Sequence, residues 1–308
     1  MVSRVASILA PNHQTKGQIM CGIFGFVSKK DNEVARKLTP ILAREMAERG
    51  IGSWGVTDGT TIYKVPDSIL ESFVETNLTS PCYHTRAPSV GAVSHRNAHP
   101  FEKIFNNYRV IGVHNGHISN YSDLKQKYPH RADHEVDSEH IFSTIAEGTP
   151  VKELSGWGTV VWWEGPTDEW TTKARQFIST FNSNALAIAK LASGDIVYAS
   201  TKKAISIACC LTEQPIEHFY EIKPKAKYEI RPHPEHGLTP FIIEELPWGE
   251  APVHNIVYNS FRGTNKLDTS LQCRFTQCWN KLKNPRHIVC PSCLDRKRRE
   301  IQQAIMVG

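Results

Sequence analysis

Eight cysteines occur among the 308 residues, and their neighbourhoods sort them into different chemistries. Cys21 stands alone near the N-terminus. Cys82, Cys209 and Cys210 sit in apolar surroundings and read as buried strand thiols, which are usually inert. Cys273, Cys278, Cys290 and Cys293 cluster near the C-terminus. A thiolate is a strong nucleophile, but a free thiol has a pKa of about 8.5 and needs a base or a positive neighbour. No Cys–His dyad signature flanks Cys21. A different base arises if the chain is cut between Met20 and Cys21, because the new α-amine titrates at about 7.7–8.0. Loss of an initiator Met before a small residue produces that end. Residues 1–20 therefore read as a removable leader or as an upstream extension of a protein that starts at Met20. Their only apolar stretch, Val5 to Ala10, is too short for the core of a secretory signal. The alternative for Cys21 is a buried strand thiol with no catalytic part.

The C-terminal cysteines form two pairs, Cys273-x4-Cys278 and Cys290-x2-Cys293, with eleven residues between them. Such pairs can supply four thiolates to one tetrahedral zinc, with His287 as a possible substitute. A segment of this size needs a staple of that kind to fold. Free thiols in a tail are the alternative. The following run, Asp295 to Arg299, carries much of the net charge of +5 and reads as a solvated tail, with contact to nucleic acid or an acidic partner surface as the alternative. With 40% hydrophobic and 22% charged residues the chain has the balance of a soluble globular protein. No apolar run approaches the ~18 residues of a membrane span. The cysteine spacing is not that of a secreted disulfide scaffold, so a reducing cytoplasm is expected.

The elements that must carry Cys21 follow from periodicity. Cys21 to Val27 reads as a buried strand. Asn32 to Arg49 has a helical apolar period, with Asp31 or Asn32 as a cap and Gly50 as a stop. Ser53 to Val56 and Thr60 to Val65 read as a hairpin around Asp58-Gly59. Further strands are predicted over 80–86, 109–114, 185–191 and 196–200. A helix is predicted over 137–146, capped by Asp137 or Ser138. Ile205 to Cys210 and Tyr228 to Arg231 read as apolar, strand-like pieces. Many strands with few helices predict a layered α+β domain. From Arg231 to Ser270 the composition turns to Pro, Gly and His, which reads as a linker. Asn115-Gly116 on its own reads as a two-residue hairpin turn.

Six blocks in order give these pieces a common meaning. They are Met20-Cys21-Gly22-Ile23-Phe24-Gly25; Glu48-Arg49-Gly50 with Ser53-Trp54-Gly55; His84-Thr85-Arg86; Asn97-Ala98-His99-Pro100; His114-Asn115-Gly116 with Ile118 and Asn120-Tyr121; and Asp137-Ser138-Glu139. Over Cys21 to about Arg231 the sequence resembles the class II glutamine amidotransferases, which are N-terminal-nucleophile hydrolases. It is most similar to the glutaminase domain of the enzymes that make glucosamine 6-phosphate. The resemblance implies a four-layer αββα sandwich, placed over 21–235; composition and cysteine content add a linker over 236–270 and a Cys-rich segment over 271–308. It implies hydrolysis of L-glutamine to glutamate and ammonia through a Cys21 thioester, with no cofactor for that step.

The resemblance assigns the oxyanion site to the Asn115 side chain and the Gly116 N–H. Donors of this kind are worth about 2.7–4 kcal/mol each in a transition state. It assigns the α-carboxylate of glutamine to Arg86, whose guanidinium can make two parallel hydrogen bonds, and the α-ammonium to Asp137. His99 takes a supporting polar role at the pocket, while His84 and His114 buttress strands. The alternatives are a surface Arg after a strand and an Asp that only caps a helix. The sequence departs from the pattern after Arg86. Ala87 stands where the family has Trp, and Ser89 and Val90 where it has Thr and His; Ser89 can keep the hydroxyl contact. About 75 residues follow Arg231, too few for an acceptor-activating domain of ~100–200 residues. Ammonia is therefore expected to pass to a separate synthase or transferase partner. An amidase for another amide, or an inactive binding module, would keep the fold and lose this substrate.

Overall fold

The computed structural model describes residues 21–28, 33–50, 52–66, 78, 80–87, 90–182, 186–233 and 236–250. Residues 1–20, Ser89, and the chain beyond residue 250 with Cys273, Cys278, Cys290 and Cys293 lie outside them.

The described chain is an α+β unit with two antiparallel sheets. The first contains β1 (Gly22–Val27), β2 (Ser53–Thr57), β3 (Ile62–Pro66), β4 (Cys82–Arg86), β9 (Ala187–Leu191), β10 (Ile196–Ala199) and β11 (Ile216–Tyr220). Their order is β11-β9-β10-β1-β4-β2-β3. The second contains β5 (Phe101–Phe105), β6 (Tyr108–Ile118), β7 (Gly156–Pro166), β8 (Arg175–Phe181), β12 (Ala226–His233) and β13 (Gly237–Glu245), in the order β13-β12-β8-β7-β6-β5. The helices are α1 (Glu33–Ala47), α2 (Tyr121–Lys127), α3 (Glu139–Ala146), α4 (Trp170–Lys173) and α5 (Lys202–Leu211). None of the described helices is long and apolar enough to cross a membrane.

Strand period two explains how β1 serves two cores. Phe24 and Phe26 point to one face and meet Leu38, Leu42 and Met46 of α1 and Ala204, Ile205 and Ala208 of α5. Phe24 also stacks on Tyr83 of β4 at 4.5 Å. Ile23 points to the other face, into a cluster with Cys82, Ile188, Ile196 and Tyr198 of the same sheet and Ile111, Val113, Val161 and Ile178 of the second sheet. A third cluster joins the second sheet, through Val110, Val160, Trp162 and Phe177, to Ile141 and Phe142 of α3. Each large side chain buried in this way contributes about 1.5–3 kcal/mol. The strand that follows Cys21 is thus fixed from both faces.

Several sequence expectations change here. The segment over 205–210 is helix, not strand. Thr201 caps it, its Oγ1 accepting from the Ala204 N–H at 3.2 Å, and the apolar residues then fall on one helical side. Cys209 is buried in that helix, and Cys210 is exposed rather than a buried strand thiol. Residues 237–245, the start of the expected linker, form β13 and pair along their length with β12. Pro240 is tolerated there because β13 is an edge strand. Asn115-Gly116 is no turn. It lies within β6, opposite Thr159 and Gly158 of β7.

Candidate active site

Cys21 sits immediately before β1, which runs between β4 and β10. Its carbonyl accepts from Arg49 Nε at 2.9 Å. Its Sγ rests against Ala87 just beyond β4. The Ala87 N–H donates to Sγ at 3.4 Å, and the thiol lies 3.6 Å from the Ala87 carbonyl. Burial pushes the thiol up to about 11. The Ala87 N–H and the Arg86 charge pull it down, Asp137 pushes it up, and Arg49 pulls it down. Three charges from distant parts of the chain therefore act on one sulfur. In the chain as written the Cys21 nitrogen belongs to the peptide bond with Met20.

Arg86 ends β4 and is buried. Its guanidinium donates to three carbonyls of one loop: Nη1 to Ala92 O at 2.9 Å, and Nη2 to Val90 O at 2.5 Å and Gly91 O at 3.3 Å. Gly91 has φ +78, and a Cβ there would lie 2.9 Å from the Glu135 carbonyl. The same loop is held from its far side. Asn97 Nδ2 donates to Ala92 O and to Glu135 Oε2, and Arg96 Nη2 donates to Asp133 O at 2.6 Å. The expected carboxylate clamp is thus engaged with main-chain oxygens.

The oxyanion candidates come from the second sheet. Asn115 is buried, and its Nδ2 donates to Ser200 Oγ at 3.1 Å. Gly116 has no left-handed φ, and β6 and β7 approach closely at it. A Cβ there would lie 2.0 Å from the Trp157 carbonyl and 2.5 Å from Gly158 Cα. Only glycine lets β6 and β7 meet at this point.

Asp137 is buried and does not cap α3. Ser138 holds the cap position, without a side-chain cap bond. Asp137 Oδ2 instead accepts from the Ile118 N–H at 2.7 Å, and His117 Nδ1 lies 3.3 Å from the same oxygen. Burial alone would raise this carboxyl. His117, His114 and the Ile118 N–H hold it below the usual carboxylate range. Asp137 therefore stays a carboxylate, and Oδ1 is left over to accept from a cation. The neighbouring Asp137 carboxylate raises His117 in turn.

The three histidines of the motifs form a neutral buried backing. His84 Nε2 donates to the His114 carbonyl at 3.0 Å, which pins β6 one residue before Asn115. His114 Nδ1 lies 2.9 Å from Ser138 Oγ, next to Asp137. His99 packs on His84 with ring centres 3.9 Å apart. Burial pushes His84 down to about 3 and His114 to about 4, and holds His99 well below its ordinary value. Burial thus favours the neutral ring of all three near neutral pH. Ser89, the remaining candidate, is outside the described residues. Among the described residues no group of three or more His, Cys, Asp or Glu could hold a metal ion.

Sequence reasoning missed Arg49 as a contact of the Cys21 carbonyl and missed Ser200 altogether. Arg49 lay inside a recognised block, so its signal was present. Ser200 had no local signal.

Residues 20–155 match the family model described as glutamine amidotransferases class-II. This part of the chain is a class II glutamine amidotransferase domain. The glutamine–fructose-6-phosphate aminotransferase [isomerizing] of Sulfurisphaera tokodaii is 30% identical to it over 140 residues, which is 42% of this chain and 23% of that protein. The protein of the same name from Shouchella clausii is 28% identical over 193 residues, 60% of this chain and 29% of that one. The chain thus spans less than a third of the length of either relative. A solved structure of the allosteric regulatory enzyme of purine biosynthesis aligns at 16% identity with a TM-score of 0.49, over 73% of this chain and 49% of its own.

Proposed function

We propose that the amidotransferase domain hydrolyses the side-chain amide of L-glutamine to glutamate and ammonia through a thioester on Cys21. The observation that carries this reading is the seat of Cys21, whose Sγ rests on Ala87 directly after Arg86 and whose carbonyl accepts from Arg49, with the Asp137 carboxylate also acting on the thiol. A guanidinium and a carboxylate near one nucleophile suit a free amino acid and have no use with a simple amide. The two sheets and the helices against them support a four-layer αββα sandwich of the N-terminal-nucleophile type.

The chemistry proceeds from a chain that begins at Cys21. The free α-amine takes the thiol proton, and the thiolate attacks the amide carbon. The carbonyl oxygen gains the negative charge, which one Nδ2–H of Asn115 and the Gly116 N–H receive. The α-ammonium returns its proton to the leaving nitrogen, the C–N bond breaks and ammonia departs. Water then attacks the thioester with the same amine as base. Glutamate leaves and the thiol is restored. With residue 20 attached that amine is an amide, and a thiol near 11 is almost wholly protonated at neutral pH. The longer form is then an inert or binding form of the same fold.

Transfer of an amino group to fructose 6-phosphate is in the name of the relatives. Here the ammonia is proposed to reach an acceptor on a separate synthase or transferase. The test is glutamate release by the protein starting at Cys21, with Cys21→Ala as control. Hydrolysis that survives Cys21→Ala overturns the reading, as does equal turnover of amides that lack the α-groups. A structural zinc on Cys273, Cys278, Cys290 and Cys293 is proposed from their spacing alone. Metal analysis should find about one zinc per chain, lost in Cys290→Ser; a metal-free chain overturns it.

A further inference from the structure

We infer that Ser200 is a positioning residue that sets the amide of Asn115 for the oxyanion, an inference that rests on the glutaminase reading above. Ser200 lies between β10 and α5 and is buried. Its backbone N–H donates to Ile23 O at 2.8 Å, and its Oγ accepts from Ile23 N–H at 2.8 Å. The residue is therefore clamped to β1, two positions after Cys21. The same Oγ accepts from Asn115 Nδ2 at 3.1 Å. Among the described residues it is the one side chain that bonds both the main chain of the nucleophile strand and the side chain of the oxyanion residue.

A hydroxyl oxygen has two acceptor sites. Ile23 fills one and Asn115 the other. With Oγ accepting, the second contact holds Nδ2 of the Asn115 amide toward β1. Nδ2 carries two hydrogens. One is spent on Ser200, and the other keeps a defined direction for a substrate oxygen. Without the hydroxyl the Asn115 amide can turn about its last bond, and Oδ1 can face the oxyanion. That orientation repels the developing charge. Ser200 also ties the sheets together at this point, because Asn115 is on the second and Ile23 on the first.

The position matters for the transition state rather than for holding glutamine. In the protein starting at Cys21, Ser200→Ala should lower kcat on the order of tenfold or more, while KM for glutamine moves less than about twofold. Ser200→Thr keeps the oxygen and should restore most of kcat. Because Asn115→Ala already removes what Ser200 positions, the double variant should be no slower than Asn115→Ala alone. A second readout does not depend on turnover. The side-chain NH2 signals of Asn115 in ¹⁵N NMR, identified by their loss in Asn115→Asp, should shift in Ser200→Ala and stay near their original positions in Ser200→Thr. Unchanged Asn115 signals in folded Ser200→Ala overturn the inference, as do additive losses or equal losses in the Ala and Thr variants. If the unsubstituted protein releases no glutamate, the glutaminase reading fails by itself, and the NMR comparison still decides whether Ser200 orients Asn115.

Discussion

The two sheets contribute unlike halves to the site. On the second sheet and the turn into α3, each functional side chain is held by an atom it does not need for chemistry. Asn115 uses one N–H on Ser200 and keeps another. Asp137 uses Oδ2 on Ile118 and His117 and keeps Oδ1. On the first sheet the working atoms themselves are engaged. The Cys21 sulfur is in contact with Ala87, and the Arg86 guanidinium is spread over three loop carbonyls. The oxyanion and ammonium half is therefore preorganised, and such groups need no rearrangement when charge develops. The nucleophile and carboxylate half must exchange partners first.

The largest test of this contrast is at Cys21. At a thiol pKa of about 11, roughly one molecule in ten thousand carries a thiolate at pH 7. Alkylation by iodoacetamide at pH 7 should be very slow while residues 1–20 are attached. It should speed up by about tenfold or more in the protein starting at Cys21, with its pH midpoint moved down. Equal rates in the two forms would show that the first half is already armed. Gly116→Ala attacks the other half. Its new Cβ would have to displace main-chain atoms of β7, so urea unfolding should show a loss of about 3 kcal/mol or more. A stable variant would mean that the preorganised half has slack.

Arg86→Lys sharpens the exchange on the first sheet. An ammonium cannot span three carbonyls or match a carboxylate with two parallel bonds. KM for glutamine should rise by about tenfold with a smaller change in kcat. A drop confined to kcat would place the carboxylate elsewhere. The smallest effect is expected at His117, which is about one-third exposed. Its raised folded pKa means that the protonated ring stabilises the fold. That contribution is complete below the unfolded value of about 6.5 and is lost as pH rises through the folded value. The stability gap between the unsubstituted protein and His117→Gln should shrink as pH rises above about 6.5. A gap that widens over this range would exclude the His117–Asp137 pairing.

Much of the first sheet was legible because β1, the β2–β3 hairpin, β4, β9 and β10 have apolar alternation bounded by turn signals. β7 was not. Its run Gly156–Pro166 is rich in Gly, Val and Trp and is buried along most of its length, so neither period two nor a polar face marks it. α5 misled because Ile205 and Ile207 alternate like a strand, and the Thr201 cap that decides for helix is a contact three residues away. At the site, Cys21, Asn115, Gly116 and Asp137 stood in recognisable blocks. Ser200 is a single common residue, and its meaning comes only from Ile23 and Asn115, 177 and 85 residues earlier. The Arg86 contacts with the loop carbonyls were likewise invisible, since main-chain oxygens leave no mark in a sequence.

The place of β1 between β4 and β10 has a consequence for the order in which a growing chain becomes reactive. The strand behind Cys21 gains its first neighbour after some sixty residues, when Thr85 comes opposite Gly22. Its second arrives only with Ala199 opposite Phe24, and Ser200 follows at once. A ribosome has therefore released the motifs through Asp137 well before the last support of the oxyanion residue exists. The reactive centre is thus completed about 180 residues after its nucleophile is made, with α5 and three strands still to follow.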